Sequence, residues 1–242
     1  MAKIFFLILL FFFNSFFIYA DSSSIFEKWN SLDNKIALNS IEKENAIKLI
    51  LNYQKEVEYY FYKNGGKDIK RNNWIFPLSN YSKIFLRENG KDYNDYAYDY
   101  FDGNKSWNHP ANDIIIADSN RDCLDDSTGK PVDVVSMSSG VVVATDTSWE
   151  PGSILRAGKY IRIYDVTNKK LLYYSHLNRI YKKPGDIINA GDKIGEVGRT
   201  GRQTILPANI THLHIALLKI VDGYPLPESL IEDFNQLFRN KH

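Results

Sequence analysis

The chain has five histidines, His109, His176, His212, His214 and His242, and four of them fall where chemistry can be read from spacing. Two lie two residues apart in His212-Leu213-His214. On a β-strand, residues i and i+2 point to the same face, so both imidazoles would project into one site. His109 precedes Asp113 by four residues, across a short segment that enters the apolar run Ile114-Ile115-Ile116. A histidine and an aspartate separated by a tight turn can converge on one ion. Zinc accepts imidazole nitrogen and carboxylate oxygen, and its catalytic sites keep three protein ligands plus an open position. Two histidines and one aspartate would complete such a set. His176 lies in Tyr174-Ser175-His176-Leu177, and His242 stands at the C-terminus without a recognisable context.

A second metal is suggested by the acidic loop Asp118-Ser119-Asn120-Arg121-Asp122-Cys123-Leu124-Asp125-Asp126. Asp118, Asn120 and Asp122 occupy positions one, three and five, with Asp126 at nine, and hard oxygen ligands at that spacing are similar to the start of a calcium loop. The turn glycine expected at position six is Cys123, and Gly129 stands where the terminal glutamate belongs. The expectation is a calcium ion on Asp118, Asn120, Asp122 and Asp126, set against a plain solvated turn. No Cys or His neighbours Cys123, so it is assigned no role as ligand or nucleophile.

Between the Tyr-Ser-His-Leu and His-Leu-His segments runs a glycine-spaced stretch, Lys183 to Gly201, containing Pro184-Gly185-Asp186, Ala190-Gly191-Asp192 and Ile194-Gly195-Glu196-Val197-Gly198. With His109-Pro110-Ala111-Asn112-Asp113, these motifs make residues 107–218 resemble the lysostaphin/LytM-type zinc metallopeptidases, which cleave peptide cross-links in bacterial peptidoglycan. The resemblance implies a LytM-like antiparallel β-sheet domain. It implies that His109, Asp113 and His214 hold zinc, and that His176 and His212 sit beside the attacking water. It implies peptidoglycan stem peptides as substrate. One position departs from the family pattern: Ala111 stands where glycine is usual, which matters only if the backbone there needs positive φ. Family members that serve as non-catalytic activators of other wall enzymes lack zinc ligands, and this chain keeps every one. The two readings are therefore a zinc endopeptidase and, as the alternative, a non-catalytic wall-binding or amidase-activating module.

Several elements must hold these residues in place. Apolar runs at 114–116, 140–144, 160–164, 171–177, 194–198 and 212–220, punctuated by Gly, Pro and Asn168-Lys169, predict a mainly β domain over 73–242. A short strand is expected near Trp74-Ile75-Phe76, and a final helix from Pro227. Residues 21–72 read as a helical hairpin. Phe26, Trp29, Leu32 and Ile36 recur at helical spacing after Ser22-Ser23-Ser24, and Ala46, Ile50, Tyr53, Val57, Tyr60 and Phe61 form a second stripe. An Asn39-to-Glu42 capping pattern is expected to open the second helix, and Asn64-Gly65-Gly66 to stop it.

The N-terminus carries one lysine, an uncharged apolar run from Ile4 to Phe13 and a small residue, Ala20, before Asp21. That is the layout of a secretory signal over residues 1–20. Export to the periplasm or cell envelope is expected, with no stable membrane insertion once the signal is removed. The 242 residues carry 30 Lys+Arg against 29 Asp+Glu, a net charge of +1, which removes the usual electrostatic case for nucleic-acid binding. One cysteine cannot form an internal disulfide.

Overall fold

The computed structural model describes residues 24–79, 85–103, 105 and 108–239, so the expected signal segment 1–20 and His242 lie outside the described residues. Among the described residues the architecture is mainly antiparallel β with three α-helices. In chain order the elements are α1 (Ile25–Ala37), α2 (Lys43–Lys63), β1 (Phe85–Leu86), β2 (Asn112–Ile115), β3 (Asp133–Val135), β4 (Gly140–Asp146), β5 (Tyr160–Asp165), β6 (Lys170–Ser175), β7 (Arg179–Ile180), β8 (Ile187–Ile188), β9 (Lys193–Glu196), β10 (His212–Val221), β11 (Tyr224–Glu228) and α3 (Ile231–Arg239). No helix among the described residues is long and apolar enough to cross a membrane.

An eight-stranded sheet runs β1-β2-β10-β6-β5-β4-β8, with β11 also on β10, and a three-stranded sheet runs β3-β9-β7. The ten-residue strand β10 organises the large sheet. One of its edges takes β2 along His212–Ile215 and β11 along Leu217–Val221, and the other takes β6. Its alternate residues divide between two cores. Leu213, Ile215 and Leu217 point to a face packed with Val134, Ile194 and Val197 from the small-sheet region and with Phe234 of α3. Leu218 and Ile220 point to the opposite face, where Phe26, Trp29, Leu32 and Ile36 of α1 and Ala46, Ile50, Val57 and Phe61 of α2 cover them. The helical hairpin therefore sits on the large sheet and shares its core. Each of these large side chains contributes about 1.5–3 kcal/mol on burial. Hydrogen bonds add direction: the Thr145 N–H donates to Asn30 of α1 (2.8 Å), and Gln54 of α2 donates to the Tyr164 hydroxyl (2.9 Å).

Ser24 caps α1 through a reciprocal pair: its hydroxyl accepts from the Glu27 N–H (3.2 Å), and the Glu27 carboxylate accepts from the Ser24 N–H (2.7 Å). Three local expectations are corrected. Asn39 does not open α2, whose N-cap is Glu42; Asn39 instead follows the α1 C-cap with φ 52°, a left-handed position that asparagine tolerates. Trp74-Ile75-Phe76 forms no strand, although Ile75 N–H donates to the Met137 carbonyl. Pro227 does not start a helix: it lies in β11 opposite Leu218, on an outer strand where a missing N–H is tolerated, and α3 begins at Ile231.

Candidate active site

Register brings the histidines and the aspartate together. His214 on β10 stands opposite Asp113 on β2 and opposite Ser175 on β6, the residue before His176. His212 shares the His214 face, one alternation along the strand. This is the face that carries Leu218 and Ile220, but here the helices stop and the surface opens into a groove of about 400 Å³. His109 arrives on the segment before β2, held by a two-way backbone pairing with Asn94 (2.8 and 3.0 Å).

Three donor atoms form a near-equilateral triangle. His109 Nε2 is 3.1 Å from Asp113 Oδ1 and 3.1 Å from His214 Nδ1, and His214 Nδ1 is 3.0 Å from Asp113 Oδ1. The Nδ1–H of His109 donates to the Asp92 carbonyl (2.9 Å), which turns the Nε2 lone pair into the triangle. Four-coordinate zinc with bonds of about 2.0–2.1 Å places neighbouring ligands about 3.3 Å apart, close to the observed edges. Two imidazole nitrogens and one carboxylate oxygen are also the donor set that zinc prefers, so these residues fit the ion. Among the described residues this is the single group of three or more His, Cys, Asp or Glu side chains placed to hold a metal.

The charges around the triangle are consistent with a site for a cation. Burial alone would raise the Asp113 carboxyl, but hydrogen bonds to His109 and His214 outweigh it and hold the group well below the usual carboxylate range. Burial would lower His109, yet the bond to Asp113 raises it, whereas burial lowers His214. One proton or one cation among the three thus satisfies the cluster.

His176 and His212 flank the triangle without joining it. Their rings lie 5.0 Å apart, and His176 is 5.4 Å from His214. The Nδ1–H of His176 donates to the Thr200 carbonyl (2.8 Å), and that of His212 to the Ile210 carbonyl (2.9 Å). Nε2 of His176 lies 3.3 Å from the Thr204 hydroxyl, and Nε2 of His212 lies 3.5 Å from Asp113 Oδ2. Burial, reinforced by the neighbouring His212 and His214, holds His176 well below the ordinary histidine range, so it is neutral near pH 7. Its backbone is left-handed, φ 61°. The glycines of 185–201 help keep it there. A Cβ on Gly201 (φ +117°) would meet the Arg156 carbonyl at 2.5 Å and His176 Nδ1 at 2.8 Å, and one on Gly198 would meet Asn178 N at 2.3 Å. Ala111 is not among the residues with positive φ, so alanine fits where glycine is usual.

Several contributors are invisible in the sequence. The Asp92 carboxylate accepts from the Asp113 N–H (2.8 Å), and Arg87 donates to Asp113 Oδ2 (2.8 Å), leaving Oδ1 for the triangle. Both come from the Tyr-, Asn- and Asp-rich stretch that lacks periodicity, and no local signal identifies them.

The calcium expectation gains no support. In the loop of Asp118, Asn120, Asp122 and Asp126 the oxygens turn onto the loop's own donors. Asp118 accepts from the N–H groups of Asp122 and Cys123 and from the Thr211 hydroxyl. Asp122 accepts from Leu124 N–H and the Asn120 amide, Asn120 Oδ1 from Asp122 N–H, and Asp126 from Ser119 N–H. These aspartates and the asparagine close turns.

Residues 123–225 match the family model of Peptidase family M23. This span contains His176, His212 and His214, and His109 and Asp113 precede it. No curated protein matches the chain. Solved structures similar to it include a zinc-containing peptidase from Vibrio cholerae (21% identity, TM-score 0.39, covering 68% of this chain and 41% of that one). A Ruminococcus gnavus protein given the name lytM is 17% identical (TM-score 0.46, 90% and 92%). Lysostaphin from Staphylococcus simulans is 21% identical (TM-score 0.38, 55% and 47%). The chain thus spans less than half the length of the Vibrio and Staphylococcus structures. The family resemblance read from the histidine and glycine motifs is borne out by this match of residues 123–225 to the model of Peptidase family M23.

Proposed function

We propose that the protein is an exported zinc-dependent endopeptidase that hydrolyses peptide cross-links in bacterial peptidoglycan. The observation that carries this reading is the triangle of His109 Nε2, Asp113 Oδ1 and His214 Nδ1 at the floor of a groove, with two further histidines beside it. His109, Asp113 and His214 would hold the zinc, which when bound supplies Lewis-acid polarisation of a carbonyl and activation of water. The remaining work falls to His176 and His212. With Nδ1–H donated to a backbone carbonyl, each ring in its neutral form would offer Nε2 as its acceptor. Either can accept a proton at Nε2 as water attacks and pass it to the leaving amine.

The test combines metal analysis with digestion. His214→Ala should lose both zinc and cleavage of purified peptidoglycan, read by mass spectrometry of released muropeptides. His212→Ala and His176→Ala should retain near-stoichiometric zinc and lose on the order of 100- to 10,000-fold in rate. Reversal of the two zinc outcomes would overturn the ligand assignment. A zinc-loaded protein that digests peptidoglycan from no envelope type would replace this reading with a non-catalytic wall-binding or activating module.

A further inference from the structure

The groove wall between the histidines and the helical hairpin contains a buried arginine that the proposed hydrolysis does not use. Arg162 on β5 stands opposite Tyr173 on β6, which stands opposite Ala216 on β10, on the same sheet face as His214. Its guanidinium lies 4.1 Å above the Tyr173 ring and 5.4 and 5.5 Å from those of Tyr100 and Tyr160. The side chain is 15% exposed, and that exposure is into the groove. Its counter-charge is Asp33 of α1, 2.8 Å from Nε. The contact is an ion pair by distance but not by direction, and the buried Nε has no hydrogen-bond partner. The Asp33 oxygens instead accept from the hydroxyls of Tyr100 (2.8 Å) and Tyr160 (2.7 Å). A guanidinium offers five N–H donors in a planar fork that matches a carboxylate. Of the other arginines lining the groove, Arg87 is committed to Asp113 and Arg156 also has a partner.

We propose that Arg162 forms a substrate carboxylate subsite, so that the groove selects peptides bearing a carboxylate close to the scissile bond. This rests on the peptidase reading above and narrows it to acidic stem peptides, as opposed to uncharged glycine bridges. Tyr173 sets the distance: its ring is 4.1 Å from Cζ of Arg162 and 6.1 Å from the His214 ring. A carboxylate on Arg162 is therefore within about three residues of extended chain from the metal-binding histidine. The tyrosine rings exclude water around the guanidinium, which strengthens a bidentate pair.

The experiment uses zinc-loaded mature protein and cross-linked muropeptide dimers, either with free carboxylates or after amidation with ammonia and carbodiimide. The wild type should cleave the free acid with KM on the order of tenfold to a hundredfold lower than the amide, at similar kcat. Arg162→Gln should remove the difference. Because that variant strands Asp33, the double variant Asp33→Asn/Arg162→Gln, which removes both buried charges, serves as the second test and should also cleave acid and amide alike. Equal KM for acid and amide in the wild type, or a preference that survives the double variant, would overturn the subsite. Calorimetric binding of the same two dimers separates this failure from that of the peptidase reading. Arg162-dependent binding of the acid without cleavage supports the subsite and removes the peptidase, and cleavage without acid preference does the reverse.

Discussion

Removing the Asp33 carboxylate should destabilise the whole domain, by an amount set by what it leaves behind. Asp33 is 3% exposed and stands on α1, yet its three nearest polar partners, Tyr100, Tyr160 and Arg162, all lie outside the hairpin. Asp33→Ala takes the counter-charge from a buried guanidinium, and breaking a buried pair from one side costs about 3–5 kcal/mol. A guanidinium is too basic to shed its proton in the ordinary pH range, so the arginine left behind cannot escape by deprotonating. Against a domain stability of about 5–15 kcal/mol this is a large loss. With a urea m-value of about 1–3 kcal/mol/M, the midpoint should fall by roughly 1–5 M at unchanged m. The double variant Asp33→Asn/Arg162→Gln should recover most of that loss, because no charge is then left buried alone. The assay is urea unfolding of the mature full chain, followed by tryptophan fluorescence and circular dichroism. A midpoint shift below about 0.5 M for Asp33→Ala, with m unchanged, would refute the reasoning, since the guanidinium would then have an alternative partner.

Three further outcomes follow from the same geometry. Gly201→Ala should cost about 1–3 kcal/mol in thermal or urea unfolding and slow cleavage, because φ is +117° and the added Cβ meets the Arg156 carbonyl and His176 Nδ1. Trp29→Ala, which empties a site 1% exposed between Tyr53 and Tyr164, should cost about 3–5 kcal/mol, roughly 6–20 °C in Tm by calorimetry. Protein recovered from the exported fraction should begin at Asp21 by intact-mass measurement; retention of Met1 in a membrane fraction would reject the signal assignment.

The parts of this molecule that can be read from the sequence are those whose cause is local. The serines ending at Ser24 announce the start of α1 because a cap acts within one turn, and the alternating run from His212 announces β10 because a strand face repeats every second residue. The same rule places His212 and His214 side by side before any partner is known. What is not readable depends on register and on long chain separations. Pro227 looks like a helix start until β11 pairs it with Leu218. The acidic loop has the oxygen spacing of a calcium site, and its sequence gives no sign that those oxygens accept from the loop's own backbone. Asp92 supports His109 from 17 residues away and Asp33 meets Tyr160 from 127 away, so neither leaves a local pattern.

Strand β10 explains why these distant contacts matter to the site. His212 and His214 occupy one end of a sheet face, and Leu218 and Ile220 the other, so one strand both floors the groove and seats the hairpin. Between the two ends the wall consists of Arg162, its tyrosines and Asp33. Asp33 is the residue through which α1 reaches the groove wall, and it does so by pairing with the guanidinium that the groove exposes. A change in how the hairpin seats on β4 and β5 would therefore be felt first at the Arg162 subsite, and only then, through the Tyr173 ring 6.1 Å away, at His214. Substrate selection should be more sensitive to hairpin substitutions than metal binding is, since among the described residues the hydrogen bonds of the His109, Asp113 and His214 side chains go to one another, Asp92 and Arg87 and not to either helix.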